Sequence, residues 1–326
     1  MGATKATLII PRPAASVQAT GATRPRECRG ASRAPALGHN SARMADLHQR
    51  DLIYDVGMHN GDDTDFYLAR GFRVLAVEAD PDLARAGEER FRRSVAEGRL
   101  TILNVGISET DGHGDFWICD TNREWNSFDR ASAARNGSRH HCVSIQTRRF
   151  SSILREYGVP HYLKIDIEGK DRQCLEELAA IGPRALPDFV SWENESAGLE
   201  PLEIVYGLGY TKFKLIDQST YEAVSRHFSL TNVVDAVAWR TIRQFRLARW
   251  PRLYTLCARL THRGRLEARF GRRFPMGAAG VWGDELPGRW MTVSEARLTW
   301  ATASAAHAAK SGSAPESFWC DWHAAR

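Results

Sequence analysis

Leu52-Ile-Tyr-Asp55-Val-Gly57-Met-His59-Asn60-Gly61-Asp-Asp-Thr-Asp65 joins a short apolar run to a helical pattern through two glycines. Leu52–Val56 is short, apolar and closed by a glycine, so it reads as a buried strand. Residues 62–70 read as a helix stopped by Gly71. Gly57 lets the chain turn sharply and lets a ligand approach the backbone, and Gly61 opens the helix where a side chain would crowd that ligand. The turn falls at the carboxyl end of a strand, where open α/β sheets bind ligands. Its spacing is D-x-G-x-x-x-G rather than the G-x-G-x-x-G of a pyrophosphate site. Asp55 at the strand end repels a diphosphate and suits a cationic ammonium group. A tight strand–helix turn with no ligand explains the same glycines equally well.

The pattern repeats on both sides of this turn. Phe72–Glu78 is a second strand. Pro81–Ala96 is a helix with Asp80 as its cap and Pro81 in its first turn. Leu100–Val105 is a third strand. Farther on, strands are expected at Asp115–Cys119, Cys142–Thr147, Tyr162–Ile167, Phe189–Trp192 and Thr211–Ile216, and helices at about 150–157, 170–180 and 200–208. Val233–Trp239 is expected to be a closing strand. Strands alternating with helices imply a mostly parallel sheet covered on both faces.

Further residues at the strand ends have the chemistry of a nucleoside site. Glu78 ends the second strand, 21 residues after Gly57, where an acid accepts hydrogen bonds from both ribose hydroxyls. Ala79 follows it. Asn104 can bond an adenine edge, and Gly106 lets the chain pass close to the ring. In Leu163-Lys-Ile-Asp166-Ile-Glu168-Gly169 the polar residues alternate onto one face. Carboxylates at a buried strand tip are costly unless paired or functional, so the alternatives are a Lys164 salt bridge and a catalytic site. Trp125, Asn126 and Ser127 offer an aromatic ring and polar groups suited to a sugar, although a packed loop tryptophan reads the same way.

DVGMHNG, VEADP, LNVGIS and KIDIEG, in this order and spacing, resemble the FkbM-type family of S-adenosylmethionine-dependent methyltransferases. The resemblance covers about residues 51–193, and FPMGAAGVWGDELPGRW (274–290) is similar to a C-terminal block of some members. It implies a Rossmann-like class I methyltransferase fold with a seven-stranded, mostly parallel sheet, and O-methylation of a sugar, glycan or small-molecule hydroxyl. Carried over residue by residue, Asp55, Gly57, His59, Asn60 and Gly61 form the cofactor loop. Glu78 and Ala79 hold the ribose, Asn104 and Gly106 border the adenine, and Asp166 and Glu168 face the methyl-transfer site. Methyl transfer to a hydroxyl needs a base. Asp166 and Glu168 are the first candidates, with Glu193 and His59 as reserves. Met58 stands where a small residue is commoner, and position 59 is His. A nucleic-acid-directed methyltransferase and a non-catalytic module keeping the fold are the competing readings.

The bulk properties bound the rest. Residues 1–44 carry seven basic residues and one acid, so against a chain total of +5 the remaining 282 residues sit at −1. The basic balance is therefore not a property of the folded part, and nucleic-acid binding does not follow from it. Residues 1–44 read as a disordered basic extension, with Met44 as an alternative start. The expected domain runs over 45–240. An Arg-rich and Gly/Pro-rich extension follows at 241–300, with a flexible tail at 301–326. Residues 240–273 hold eleven arginines and one acid, Glu267. They are either a solvated helix pair or a dock for an anionic partner. The six cysteines are scattered without a C-x-x-C pair, which suits reduced thiols in a cytoplasm. No histidine or acid cluster has ligand spacing, so no metal is expected. No apolar run reaches the length of a membrane span.

Overall fold

The computed structural model describes residues 48–182, 185–194, 198–226, 230–244, 249–275, 277–312 and 318–326. The basic extension 1–44, with Cys28 and Met44, and Arg246 of the arginine row lie outside the described residues. In chain order the elements are β1 (His48–Val56), α1 (Asp62–Ala69), β2 (Arg73–Val77), α2 (Pro81–Arg90), α3 (Arg92–Ala96), β3 (Leu100–Leu103), β4 (Gly106–Ile107), β5 (Gly112–Cys119), α4 (Arg130–Ala133), β6 (His140–Arg148), α5 (Phe150–Tyr157), β7 (Val159–Ile165), α6 (Asp171–Leu178), β8 (Phe189–Glu193), α7 (Glu200–Gly207), β9 (Lys212–Asp217), β10 (Glu222–Ala223), α8 (Leu230–Gln244), α9 (Pro251–Ala258), α10 (His262–Phe270), α11 (Val293–Ser311) and β11 (Cys320–Ala325).

The main sheet has the order β10-β9-β11-β8-β7-β1-β2-β3. Strands β3, β2, β1, β7 and β8 run parallel, and β11 lies antiparallel between β8 and β9. This is the Rossmann-like class I layout, with eight strands where seven were expected; the eighth is the two-residue β10, a hairpin partner of β9. A second sheet of order β4-β6-β5 stands beside the third strand.

The central strands are apolar because helices and loops cover both faces. Tyr54, Leu163 and Trp192 belong to one core, with α5 and α6 packed on it. Ile53, Tyr162 and Trp282 belong to the other. On that side the indole of Trp282, from the Gly/Pro-rich block, stacks on Tyr162 with ring centroids 4.9 Å apart. Local signals end the helices as expected. Asp80 accepts from the backbone N–H of Asp82 and Leu83 at the start of α2. Thr292 and Glu295 form a capping box on α11, and Gly312 closes that helix with φ +69°.

Two sequence expectations are overturned. Val233–Trp239 is no strand but the middle of α8; its β-branched run misled because propensity yields to context. The flexible tail at 301–326 is instead largely ordered. Residues 301–311 continue α11, and 320–325 form β11 inside the main sheet, with Trp322 and Ala324 fully buried. The sheet-bearing part therefore does not stop at 240.

Candidate active site

The strands β1, β2, β7 and β8 end at one edge of the sheet. Because β11 runs the opposite way, its first residues reach that same edge, and Asp321 and the preceding Trp319 join the rim. Between these ends lies a cavity of about 390 Å³.

Its floor is the turn after β1. Gly57 has φ +89°, and a Cβ there would stand 1.9 Å from the carbonyl oxygen of Asp166. The turn therefore lies directly on the tip of β7, which only glycine permits. Gly61, at φ +80°, backs onto the Phe91 ring, 2.6 Å from where its Cβ would be. His59 is also left-handed, at φ +50°. Its backbone N–H donates to Glu78 Oε2 at 2.7 Å, and the N–H of Asp80 donates to Oε1 at 2.8 Å. His59, Asn60 and Glu78 all line the cavity. Burial pushes the Glu78 carboxyl up to about 7 despite these two donors.

Asp55 lies beneath this floor and is not part of the cavity wall. It faces Lys164 directly across the β1–β7 ladder, so both side chains emerge on the same face of the sheet. Its carboxylate accepts from Lys164 Nζ at 3.1 Å and from Thr64 Oγ1 at 2.7 Å. Asp55, read as a partner for a ligand ammonium, thus stands in an internal ion pair. Lys164 Nζ also donates to the carbonyl of Gly57 at 2.9 Å and stands 3.4 Å from Asp166 and 3.7 Å from Asp63. Burial opposes the charge on Lys164, but Asp55, Asp166 and Asp63 together outweigh it and keep the ammonium protonated. Asn104 was read as bordering the adenine. It is exposed and outside the wall, and its amide donates to the carbonyls of Glu78 and Ala79 at 2.9 and 3.3 Å.

The wall beside Glu78 is apolar: Ala79, Leu83, Val105, Ile107, Phe116 and Phe128. Gly106 belongs to it, because a Cβ there would stand 2.4 Å from the Phe128 ring. The opposite end is acidic. Asp166, Glu168, Glu193 and Asp321 line it with Lys164 and Gln218. Glu168 is held by Arg135 at 2.7 and 3.2 Å. Burial and the neighbouring Asp166 and Asp321 push Glu193 up to about 10. Burial and Asp166 also raise Asp321, which accepts from the Gln218 amide. Gln218 is itself buried, and its Oε1 has no hydrogen-bond partner among the described residues.

Of the three residues read as an acceptor loop, Trp125 and Asn126 line the cavity. The Asn126 amide is already engaged, accepting from Cys119 N–H and donating to Asp80, both at 2.8 Å. Ser127 is buried outside the cavity and donates to the carbonyl of Glu168 at 3.2 Å.

Pro275, Gly277 and Ala278 of the Gly/Pro-rich block complete the wall. The block is anchored by Asp63, which accepts from the N–H groups of Ala279 and Gly280 at 3.0 and 2.8 Å. Sequence reasoning placed Asp63 only in a helix first turn and missed Gln218, Trp319 and Asp321. The apolar–polar alternation of Cys320-Asp-Trp-His-Ala324 was the available signal for the last strand.

Residues 55–198 match the family model of the methyltransferase FkbM domain. Over these residues the chain is similar to an FkbM methyltransferase domain. Over 59 residues it is 42% identical to the Probable ribosomal RNA small subunit methyltransferase A of Haloarcula marismortui, covering 18% of this chain and 21% of that relative. The chain thus spans about a fifth of that protein's length. Among solved structures, an rRNA methylase from Streptococcus thermophilus aligns at 14% identity and TM-score 0.30, covering 54% of this chain and 81% of the other. A precorrin-6y C5,15-methyltransferase from Geobacter metallireducens aligns at 12% and 0.29, covering 54% and 73%. The strand order of the chain itself, and not these loose matches, carries the fold. Among the described residues no helix is long and apolar enough to cross a membrane.

Proposed function

We propose that the FkbM domain transfers a methyl group from S-adenosylmethionine to a hydroxyl of a sugar, glycan or other small acceptor. The observation that carries this reading is one cavity with two chemically different ends: Glu78 beside an apolar wall, and Asp166 among carboxyl groups. The volume falls in the range of about 300–1,000 Å³ usual for small-ligand sites.

The residues present fit the cofactor. Glu78 is held rigidly by two backbone donors and keeps lone pairs for ribose hydroxyls. The wall from Ala79 to Phe128 offers an adenine an apolar berth, and Gly57 keeps the floor open. When bound, S-adenosylmethionine supplies a methyl group on a sulfonium. The chain's part is to orient the acceptor and take its proton.

At the acidic end, groups that accept hydrogen bonds predominate. Gln218 Oε1 and Asp166 are positioned to receive donors such as sugar hydroxyls. Asp166 takes the acceptor's proton, with Lys164 at 3.4 Å balancing the negative charge before transfer. Glu193, protonated at neutral pH, donates rather than accepts. The five described cysteines are free thiols, which suits a reducing cytoplasm.

Titration calorimetry with S-adenosylhomocysteine, S-adenosylmethionine and NAD tests the cofactor. The first two bind and NAD does not; a folded sample that ignores S-adenosylhomocysteine overturns the reading. A screen of sugars and envelope glycans with methyl-labelled cofactor then identifies the acceptor.

A further inference from the structure

Helices α8 and α9 pack against each other and turn apolar side chains outward. On α8, Leu230, Val233, Val234 and Val237 are 40–73% exposed, while Ala238 and Ile242 are buried. The exposed four follow the i, i+3, i+4, i+7 spacing of a single stripe. On α9 the exposed residues are Leu253 and Leu256, with Trp250 just before and Leu260 just after, at 48–63%. These also share one side of the helix. Isolated exposed leucines are ordinary, but two adjoining helices with their apolar stripes outward are not.

Arginines border both stripes. Arg240, Arg249, Arg252 and Arg259 are exposed, and no carboxylate among the described residues pairs with them. Three neighbours in the same basic stretch are engaged. Arg272 pairs with Asp65, Arg269 with Glu285 at 3.3 Å, and Arg263 donates to the carbonyl of Gln218 at 3.0 Å. Four arginines without a carboxylate partner thus lie beside the exposed apolar stripes.

We propose that the α8–α9 pair lies in the interface of an anionic phospholipid membrane. Leu253, Leu256, Trp250 and the α8 valines enter the acyl boundary, and Arg240, Arg249, Arg252 and Arg259 meet the headgroup phosphates. A solvated helix pair would not expose this apolar area, and a nucleic acid or glycan dock would use the arginines but leave the leucines and tryptophan in water. An amphipathic helix with Trp and Leu on one side and Arg beside it has the composition of interfacial binders. Anionic lipid supplies the complementary charge. The pair also leads in sequence toward a residue that holds the acceptor end of the cavity. Arg263, five residues beyond the end of α9, holds the backbone of Gln218, which lines that end. Docking there brings an acceptor at the membrane surface within reach. This location is independent of which group is methylated.

Sedimentation of the full chain with vesicles tests the proposal. Vesicles of phosphatidylcholine and phosphatidylglycerol carry the protein down, and phosphatidylcholine alone does so at least about tenfold less. Leu253→Asp with Leu256→Asp weakens binding by at least about tenfold, because two apolar groups leave the acyl boundary. Each arginine changed to Gln costs roughly fivefold at low salt. Lipids brominated in their acyl chains quench tryptophan emission in the wild type and less in Trp250→Phe. Because all these side chains are exposed, melting temperatures stay unchanged and loss of binding is not loss of fold. The proposal fails if anionic vesicles do not bind, or if the leucine variant binds as well as wild type. It also fails if light scattering finds a dimer that the leucine variant splits, since the stripe is then covered by a second copy. Preferential binding to RNA over anionic vesicles overturns it as well.

Discussion

Lys164 Nζ stands 3.1 Å from the carboxylate of Asp55 beneath the floor of the cavity, with both side chains almost wholly buried. Breaking a buried pair by removing one partner typically costs about 3–5 kcal/mol, because the other charge is left uncompensated. Lys164 offsets Asp55, Asp63 and Asp166 together, so Lys164→Met is expected to reach that range or exceed it in urea unfolding. The double variant Lys164→Met/Asp55→Asn should recover part of the loss. If Asp55 only bound the ligand, Asp55→Asn would lower cofactor affinity and leave the unfolding midpoint in place.

Asp166 and Glu193 line the same end of the cavity but differ in what they can do. Glu193 holds its proton up to about pH 10 and is already neutral at pH 7. Glu193→Gln is therefore expected to keep turnover within about threefold, whereas Asp166→Asn cuts it by roughly 10²–10⁴ if Asp166 is the base. Steady-state rates of the two variants with a found acceptor separate the roles. The reverse order would move the base to Glu193.

The same proton on Glu193 has a stability signature. Its folded value lies above the ordinary 4.5, so its stabilising contribution is complete below about pH 4.5 and is lost as pH climbs toward 10. Glutamine mimics the neutral acid and cannot ionise. Glu193→Gln should thus unfold at higher urea than wild type at pH 8–9, by roughly 1–3 kcal/mol, and match it near pH 5. Coincident curves at both pH values would remove the raised value from the account.

Much of this site was legible before the fold was known, and the misses have a common cause. Gly57, Gly61 and Glu78 were readable because a strand end followed by a glycine turn constrains backbone, and backbone constraints are local. Asp80 was readable as a cap for the same reason. Asp55 and Asn104 were assigned to the ligand because sequence places them at strand ends but not their side chains. Register puts Lys164 opposite Asp55, and the backbone after Glu78 claims the Asn104 amide. Asp63, Gln218 and Asp321 meet at the cavity only through contacts more than a hundred residues apart, such as Gln218 with Asp321 and Asp63 with Gly280. No local spacing encodes those.

Glu78 should make cofactor affinity depend on pH. Its carboxyl titrates near 7, and the carboxylate is the better acceptor for ribose hydroxyls. Affinity for S-adenosylhomocysteine is expected to rise about fivefold between pH 6 and pH 8 and then level off, the margin between a charged and a neutral acceptor. Calorimetry at several pH values reads this directly. In Glu78→Gln the affinity is weak and flat with pH. A flat wild-type profile would mean that ribose is not held by this group.

Strand β11 makes the end of the chain part of the fold. It fills the gap between β8 and β9, bonded to both, and without it two rows of backbone groups at the centre of the sheet lose their partners. Trp322 is buried there, stacked near Trp192 at 6.3 Å, with its indole N–H donating to Asn194 at 3.2 Å. Trp322→Ala should cost about 3–5 kcal/mol, the usual range for emptying such a site. Ending the chain at residue 317 removes the whole strand, and with it Asp321 and Trp319 from the cavity rim. That shorter protein should lose the cooperative unfolding transition of the full chain, while ending at residue 325 should leave it unchanged. A truncation at 317 that still unfolds cooperatively with the wild-type midpoint would show that β8 and β9 close the sheet without β11.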